Sequence, residues 1–369
     1  MIYLNTLLAE AKLKLNLPSD IKKIYKLFKK NGKQLYVVGG AVRDAILGKS
    51  PKDFDLTTDA KPDEVLAIAK KGGFKTVEVG KQFGVVIVGG HEIATFRKDI
   101  GKGRRPDAVD FTDIKGDVKR RDLTINALFY DIGKKQIVDL VGGIADLKKK
   151  KIRTVGNAED RFDEDPLRKL RAVRFAGSVG GKMSKDTWGA LKQNSDISGV
   201  SAERIRDEFI KGVTKAKNVP NYFKMLKTLG MFKQIFPGLS VLHMKLNTND
   251  YKLQIAYMLQ TNDKDKVKSK LNSLKYTNDE VKDIWLLIYM SRPAEVIQDL
   301  PSFKKLQSNS KLTTSQIKNW GKINSSNYVS KLWNWKLSVT SKDAMDKGYL
   351  NQGIGKYIRD EEEKLFLSS

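Results

Sequence analysis

The stretch GGAVRDAILGKSPKDFDL, residues 39–56, joins a glycine pair, a helical pattern and an Asp-Phe-Asp triplet. The apolar run QLYVV (34–38) before it predicts a buried strand. Glycines between a strand and a helix let the backbone approach a phosphate closely, and the helix N-terminus adds amide donors. We therefore expect a phosphate-binding turn here, of a type that matches neither the Rossmann fingerprint nor the P-loop.

Asp53 and Asp55 follow this turn and predict a metal site. On a strand, residues i and i+2 point to the same face, so both carboxylates can hold one hard cation. Taken alone, a glycine pair is commonly a plain turn and Asp-x-Asp a solvated strand end. Found in this order, with Arg43 between them, the two motifs favour a two-metal phosphoryl-transfer site.

A second polar motif, KRRDLTINAL (119–128), lies on a predicted basic helix, Gly116–Leu128. Its residues allow two interpretations: a solvated helix face, or donors for a nucleotide. In the second, Arg121 supplies charge for a triphosphate and Asn126 contacts a sugar hydroxyl.

The third motif, DRFDEDPLRKLRAVRFA (160–176), is predicted to lie on a helix over 164–178 that presents a charged face. Such a face is ordinarily laced with ion pairs. Asp and Arg together, however, match the amine and ring-nitrogen acceptor that cytosine and adenine share. Asp165 and Arg168 would then accept C and A and reject U and G. Arg171 and Arg174 would remain for phosphates.

Composition narrows the choice of partner. The 369 residues include 69 Lys+Arg against 43 Asp+Glu, a formal net charge of +26. This excess indicates a polyanionic partner, most simply nucleic acid, with an anionic membrane second. Cysteine is absent and there are only two histidines, His91 and His243, so a metal would be held by carboxylates, which favours Mg²⁺ or Mn²⁺. We see no leader or membrane-spanning pattern and expect a cytoplasmic protein that acts on no membrane and needs no obligate protein partner.

Taken in order, GGAVRD, DFDL, RRDLTINA, EDPLRKLRAVRFA and SAERIRDEF (201–209) resemble the class II tRNA nucleotidyltransferase family, which includes CCA-adding enzymes and poly(A) polymerase relatives. The motifs cover roughly residues 34–230. The resemblance implies a mixed α+β nucleotidyltransferase head followed by all-helical domains. The implied division is an N-terminal helical segment (1–33), a head (34–150), a neck with the base-reading helix (151–230), a body (231–300) and a tRNA-binding tail (301–369).

The resemblance also implies roles for individual residues. Asp53 and Asp55 would ligate two Mg²⁺ ions, and the substrates would be CTP, ATP and the acceptor stem and 3′ end of tRNA. Glu164 would support the template pair Asp165 and Arg168. The implied nucleotide contacts are Gly40, Arg43, Arg121, Asn126, Asp165, Arg168, Arg171 and Arg174. Residues 97–111 occupy the place of a flexible loop that CC-adding members typically lack in part.

Several functions remain open. The active site would be the same in an enzyme that adds CCA, only CC or only A, and in a poly(A) polymerase. A different class is an RNA-binding protein on a catalytically retired head, against which intact Asp53 and Asp55 argue. A third acidic metal ligand is also open, with Glu92 as a weak candidate. The sequence does not reveal the oligomeric state.

Overall fold

A computed structural model describes residues 11–12, 15–78, 80–101, 108–242 and 246–369. The chain forms two compact units, Met1–Gly199 and Val200–Ser369, called here the N-terminal and C-terminal units. None of the helices in the described ranges is both long and apolar enough to cross a membrane.

The N-terminal unit is built on an eight-stranded mixed sheet with the order β1-β10-β9-β2-β3-β6-β5-β4. Two small pairs accompany it, antiparallel β7–β8 and parallel β11–β12. The strands are β1 (Ala11–Lys12), β2 (Leu35–Val38), β3 (Asp55–Thr58), β4 (Thr76–Val77), β5 (Val85–Val88), β6 (His91–Thr95), β7 (Arg97–Ile100), β8 (Ala108–Phe111), β9 (Leu128–Asp131), β10 (Gln136–Asp139), β11 (Lys151–Ile152) and β12 (Lys182–Met183).

Helices cover the sheet because its apolar side chains alternate between two faces. On one face, Val37 and Leu56 pack with Ile21, Phe28 and other side chains of the flanking helices. On the other, Tyr36, Phe96 and Phe129 form an aromatic cluster with ring centroids 6.0–6.4 Å apart. The helices are α1 (Ser19–Lys30), α2 (Gly40–Ile46), α3 (Pro62–Lys71), α4 (Ile114–Lys119), α5 (Gly143–Lys148), α6 (Ala158–Glu164), α7 (Leu167–Val179) and α8 (Lys185–Gln193).

The described part of the C-terminal unit contains helices but no strand. An aromatic cluster fills part of its core, with Phe223 and Phe232 stacked at 5.1 Å and Phe209 edge-on to Phe236 at 5.4 Å. The helices are α9 (Ala202–Lys215), α10 (Val219–Thr228), α11 (Met231–Ile235), α12 (Tyr251–Leu259), α13 (Lys264–Ser273), α14 (Asn278–Met290), α15 (Pro293–Ile297), α16 (Leu300–Ser308), α17 (Thr314–Ile323), α18 (Tyr328–Asn334), α19 (Ser341–Asp346) and α20 (Gln352–Ser368). The predicted fold class, a mixed head followed by helical domains, is confirmed; the finer domain boundaries stay predictions.

Two predicted helices are interrupted, and the sequence explains one of them. The helix expected over 164–178 begins only at Leu167, because Asp165 precedes a proline and its backbone is extended. The basic helix expected over Gly116–Leu128 ends at Lys119. The chain then turns at Arg120, and Leu123, which is extended, forms a β-bridge with Thr154 before a short 3₁₀ turn, Thr124–Asn126.

Two other local predictions need correction. The N-terminal segment expected to be helical over 1–33 is not helical at Ala11–Lys12, which pairs with β10 as a strand; residues 1–10 and 13–14 lie outside the described residues. The stretch 97–111, expected to be a loop, forms at its ends the ribbon β7–β8, with Arg97 opposite Phe111 and Ile100 opposite Ala108. Its central residues, 102–107, lie outside the described residues.

Candidate functional site

Gly39 links β2 to α2 with a positive φ of 74°. Such a φ favours glycine, because a side chain would clash with the backbone there. The Gly39 N–H donates to the Leu128 carbonyl at 3.0 Å, which fixes the turn against β9. Gly40 is the first residue of α2, and Arg43 lies one turn along it. The predicted phosphate-binding turn is therefore a strand-to-helix junction whose following helix holds an arginine.

Asp55 begins β3, whereas Asp53 lies two residues before the strand. Both residues are exposed. Val38 pairs with Asp55 on one side and with Phe129 on the other, and the Arg121 guanidinium lies 4.8 Å from the Phe129 ring centroid. Cross-strand partners share a sheet face, so this register brings Arg121 toward the acidic pair.

Electrostatics at the acidic pair agree with this geometry. Although Asp55 remains accessible to solvent, the surrounding protein partly desolvates its carboxyl and so raises its pKa; Arg121 acts to lower that pKa, and Asp53 raises it further. Glu92 precedes Ile93, the register partner of Leu56, and so lies beside Asp55 on the next strand. Yet within the described ranges no three acidic or histidine side chains are grouped closely enough to hold a metal ion. The structure thus offers two carboxylates, which are hard oxygen ligands of the kind Mg²⁺ prefers.

Arg121 is itself held by an acidic residue that the sequence analysis did not single out. Asp117 is fully buried and accepts from Arg120 at 2.7 Å and from Arg121 at 2.8 Å. Burial acts to raise the pKa of Asp117, but the two guanidinium groups outweigh it and hold that pKa below its ordinary value. Asp117 therefore positions Arg121, which was predicted to contact the nucleotide.

A hydrogen-bonded chain joins the three sequence motifs. Arg43 Nη1 donates to Asn126 Oδ1 at 2.5 Å, and Asn126 Nδ2 donates to Asp122 Oδ1 at 3.3 Å. Arg171 Nε then donates to Asp122 Oδ2 at 2.8 Å. Burial acts to raise the pKa of Asp122, but Arg171 and these donors lower it. Asn126 is buried, and its side chain links Arg43 to the carboxylate of Asp122. Its contact with a sugar hydroxyl stays a prediction.

Phe175 gathers the arginines of α2 and α7 around one ring. The guanidinium carbons of Arg174, Arg43 and Arg171 lie 3.9, 5.0 and 5.5 Å from its centroid. All three are within the range of a cation–π interaction. Phe175 belongs to the third motif, but the motif does not predict this role. The only signal in the sequence is that an aromatic residue directly follows the last arginine of a charged helix.

The predicted template pair lies at the start of α7. Asp165 accepts the Leu167 N–H at 3.1 Å and so caps the turn. Arg168 Nη1 donates to Glu164 at 2.5 Å, and its Nη2 donates to the Arg120 carbonyl at 3.0 Å. Glu164 thus contacts Arg168, as its predicted supporting role requires. The roles of Asp165 and Arg168 in reading the base stay predictions.

Two family models match parts of the first two thirds of the chain. Residues 35–153 match the family model of the poly A polymerase head domain, and residues 181–242 match that of the probable RNA- and SrmB-binding site of polymerase A. The CCA-adding enzyme of Ligilactobacillus salivarius is 43% identical over 207 residues, covering 53% of this chain and 50% of the relative. That of Staphylococcus aureus is 37% identical over 266 residues, covering 69% of this chain and 64% of the relative. This chain spans about half the length of most of the curated relatives it matches.

Solved structures share the fold over nearly the whole chain. The Bacillus stearothermophilus CCA-adding enzyme in complex with CTP superposes with a TM-score of 0.66 at 24% identity, over 95% of this chain and 93% of that one. The Thermotoga maritima CCA-adding enzyme complexed with tRNA gives 0.65 at 21% identity, over 96% and 93%. These structures show a shared fold, and the two family models and the curated relatives confirm the predicted resemblance: residues 35–153 and 181–242 match the poly A polymerase head and RNA-binding models, and this chain is similar to CCA-adding enzymes.

Proposed function

We propose that this protein adds CCA to the 3′ end of tRNA without a nucleic-acid template, using CTP twice and ATP once and releasing pyrophosphate. One observation supports this most directly: Arg43, Asn126, Asp122 and Arg171 connect the phosphate-binding turn to the base-reading helix in one hydrogen-bonded chain. A nucleoside triphosphate bound at the turn would therefore have its base presented to α7.

Asp53 and Asp55 would hold two Mg²⁺ ions. The donor set fits: two carboxylates at the start of the interior strand β3, with the pKa of Asp55 raised by desolvation and by its like-charged neighbour, as expected where a cation is needed to balance them. Bound Mg²⁺ supplies Lewis-acid stabilisation of the charge that develops during phosphoryl transfer.

The arginines would orient the triphosphate and neutralise it. Arg43 and Arg121 both approach the glycine turn: Arg43 Nη2 lies 3.7 Å from the position a Gly40 Cβ would take, and Arg121 Nη1 lies 4.0 Å from that of a Gly39 Cβ. Planar guanidinium groups bind phosphate oxygens in a bidentate manner, so groups fixed by Asn126 and Asp117 would lose little conformational freedom on binding. Arg171 and Arg174 would add charge from α7.

Asp165 and Arg168 would choose the base. A carboxylate accepts from the exocyclic amine of cytosine or adenine, and a guanidinium donates to the adjacent ring nitrogen. Uracil and guanine place a carbonyl and an N–H there, so each would leave polar groups unpaired in the site. One pair of side chains thus selects two bases and excludes two.

The test uses three tRNA transcripts, lacking CCA, ending in C and ending in CC, each incubated with Mg²⁺ and with CTP or ATP alone. We expect CTP to extend the first two and ATP to extend only the third. Incorporation of A onto any RNA 3′ end would instead indicate a poly(A) polymerase. Extension with CTP but never with ATP would indicate a CC-adding enzyme, and extension with ATP but never with CTP an A-adding enzyme. No incorporation at all would contradict the proposal and favour a retired RNA-binding protein. The cytoplasmic location inferred from the sequence stays a prediction.

A further inference from the structure

A second charged surface of the N-terminal unit lies away from the nucleotide site. Five lysines line a concave groove of 730 Å³ beside the β11–β12 pair: Lys149, Lys150, Lys151, Lys182 and Lys185. We call it the lysine groove. It lies beyond the C-terminal end of α7, whereas Arg168 lies in the first turn of that helix.

Asp186 is the acidic residue of the lining. Within the part of the chain that the structure describes, none of the five lysines forms an ion pair. The arginines of the nucleotide site differ: Arg43, Arg121 and Arg168 each contact a carboxylate. The described lining of the groove therefore carries five lysines against one carboxylate, and none of the five is held in an ion pair.

The backbone holds these lysines together at a local cost. Lys151 and Lys182 are direct partners across the parallel β11–β12 pair. Like charges directly opposite each other destabilise a sheet. Lys150 has a φ of 51°. This region of backbone conformation is unfavourable for a residue with a side chain. Unfavourable backbone conformations of this kind cluster at functional sites, where the surrounding structure maintains them.

Gly181 shows how close the two strands come. A Cβ at Gly181 would overlap the Lys150 carbonyl oxygen, so only glycine fits. That carbonyl accepts the Lys182 N–H at 3.0 Å, and the Ile152 carbonyl accepts the Ser184 N–H at 2.8 Å. The juxtaposition of Lys149–Lys151 with Lys182 and Lys185 is thus built into the main chain.

We propose that the lysine groove binds the phosphate backbone of the RNA substrate, away from its 3′ end. The inference rests on the proposed function in that the RNA is a tRNA. Ammonium groups attract a polyphosphate as point charges without reading sequence. A membrane is less suitable, because the groove is concave and includes none of the exposed large hydrophobic side chains of the described unit. Gly181, Lys182 and Lys185 also fall within the matched RNA-binding family model.

The test compares two full-length variants that lose the same charge. The groove variant carries Lys149→Gln, Lys151→Gln, Lys182→Gln and Lys185→Gln. The control variant carries Lys22→Gln, Lys23→Gln, Lys26→Gln and Lys29→Gln on the exposed face of α1. Binding of a tRNA transcript lacking CCA is measured by fluorescence anisotropy across a salt series, without nucleotide or Mg²⁺, after circular dichroism and melting confirm folding.

We expect the groove variant to bind tRNA about tenfold or more weakly at low salt, with the slope of log K against log salt reduced by about 0.9 for each phosphate that is no longer neutralised. The control should be weakened much less, and the same four lysines changed to Arg should restore affinity. Equal affinity of groove variant and wild type, or equal weakening of groove and control variants, would overturn the inference. So would loss of binding to anionic phosphatidylglycerol vesicles with tRNA affinity unchanged.

Failure of this inference can be told apart from failure of the proposed function. Nucleotide addition at saturating tRNA should be the same in the groove variant and the wild type, because no groove residue contacts the nucleotide site. If the wild type adds nucleotides but the groove variant binds tRNA as tightly, the groove proposal alone is wrong. If the wild type adds no nucleotide, the binding comparison still decides the role of the groove.

Discussion

The nucleotide site and the lysine groove hold positive charge in two different ways. The arginines of the site contact carboxylates, an amide and aromatic rings, as with Arg121 between Asp117 and Phe129. The groove uses lysines that form no ion pair among the described residues. Paired, directional charge suits selective recognition, because each group is fixed before a ligand arrives. Unpaired charge suits a long polyanion, whose binding is additive and sensitive to salt.

The largest expected effect separates the rate of nucleotide addition from the affinity for tRNA. Asp53→Ala or Asp55→Ala should lower addition of both C and A by about three orders of magnitude or more, because metal charge is lost at the reacting phosphate. The affinity of these variants for tRNA should stay within about twofold of wild type, whereas the groove variant should lose tRNA affinity and keep its rate of addition. Single-turnover assays and anisotropy give the two readouts. Asp59→Asn, on an exposed residue just beyond the other end of β3, is the control. Activity above about a tenth of wild type in both alanine variants would contradict the metal assignment.

The next prediction concerns the buried carboxylate of Asp117, which forms ion pairs with Arg120 and Arg121. The groove lysines form no such ion pair among the described residues. Asp117→Asn leaves Arg120 and Arg121 without their buried carboxylate and should cost about 3–5 kcal/mol of folding free energy. Because the folded-state pKa of Asp117 is lowered, its stabilisation is present above the ordinary Asp pKa and lost as pH falls through the folded value. The difference between wild type and variant in urea unfolding should therefore shrink toward acid pH. A constant difference from neutral to acid pH would show that the charge is not responsible.

Base selection should change by a smaller factor. Asp165→Ala or Arg168→Ala removes one half of a bidentate base contact worth about 1–3 kcal/mol of discrimination, so use of UTP and GTP relative to CTP and ATP should rise roughly tenfold or more. Ratios of kcat/KM for the four nucleotides measure it. Asp163→Ala, at an exposed position on α6, provides a matched control. Unchanged nucleotide selectivity would show that Asp165 and Arg168 do not read the base and that their charges serve only in ion pairs.

Phe175 tests whether the arginines act as a group. Phe175→Leu removes the ring that Arg43, Arg171 and Arg174 contact. A cation–π interaction contributes about 0.5–2 kcal/mol. We expect the KM for CTP and ATP to rise about three- to tenfold, with a smaller change in kcat. Phe175→Tyr keeps the ring and should behave like wild type. Equal effects of Leu and Tyr would point to packing rather than to the ring.

The smallest effect returns to the groove. Lys151→Gln relieves the repulsion between Lys151 and its cross-strand partner Lys182. The change should stabilise the protein slightly, by about 0.2–1 kcal/mol. The melting temperature at low salt should rise by a small amount, and the gain should fade as added salt screens the charges. Lys26→Gln on α1 is the comparison. A loss of stability at low salt would mean that Lys151 has a favourable structural role.

Much of this protein follows from local pattern. The apolar run QLYVV predicted β2, and the pattern of the third motif predicted α7 apart from its first residues. Motif order indicated which side chains to expect at the candidate site, and their roles there stay predictions. The break before Leu167 was not predicted, although Pro166 restricts the residue before it and so explains the break.

Contacts between distant residues could not be read in this way. Asp122 and Arg171 lie 49 positions apart, and Arg43 and Asn126 lie 83 apart, so no local pattern pairs them. The same holds for Lys151 and Lys182, which only the β11–β12 register brings together. The sequence by itself determined the chemical groups and their local elements, because these depend on neighbours three or four residues away. The tertiary structure decided which charges are paired, because pairing is a matter of distance in space between elements far apart along the chain.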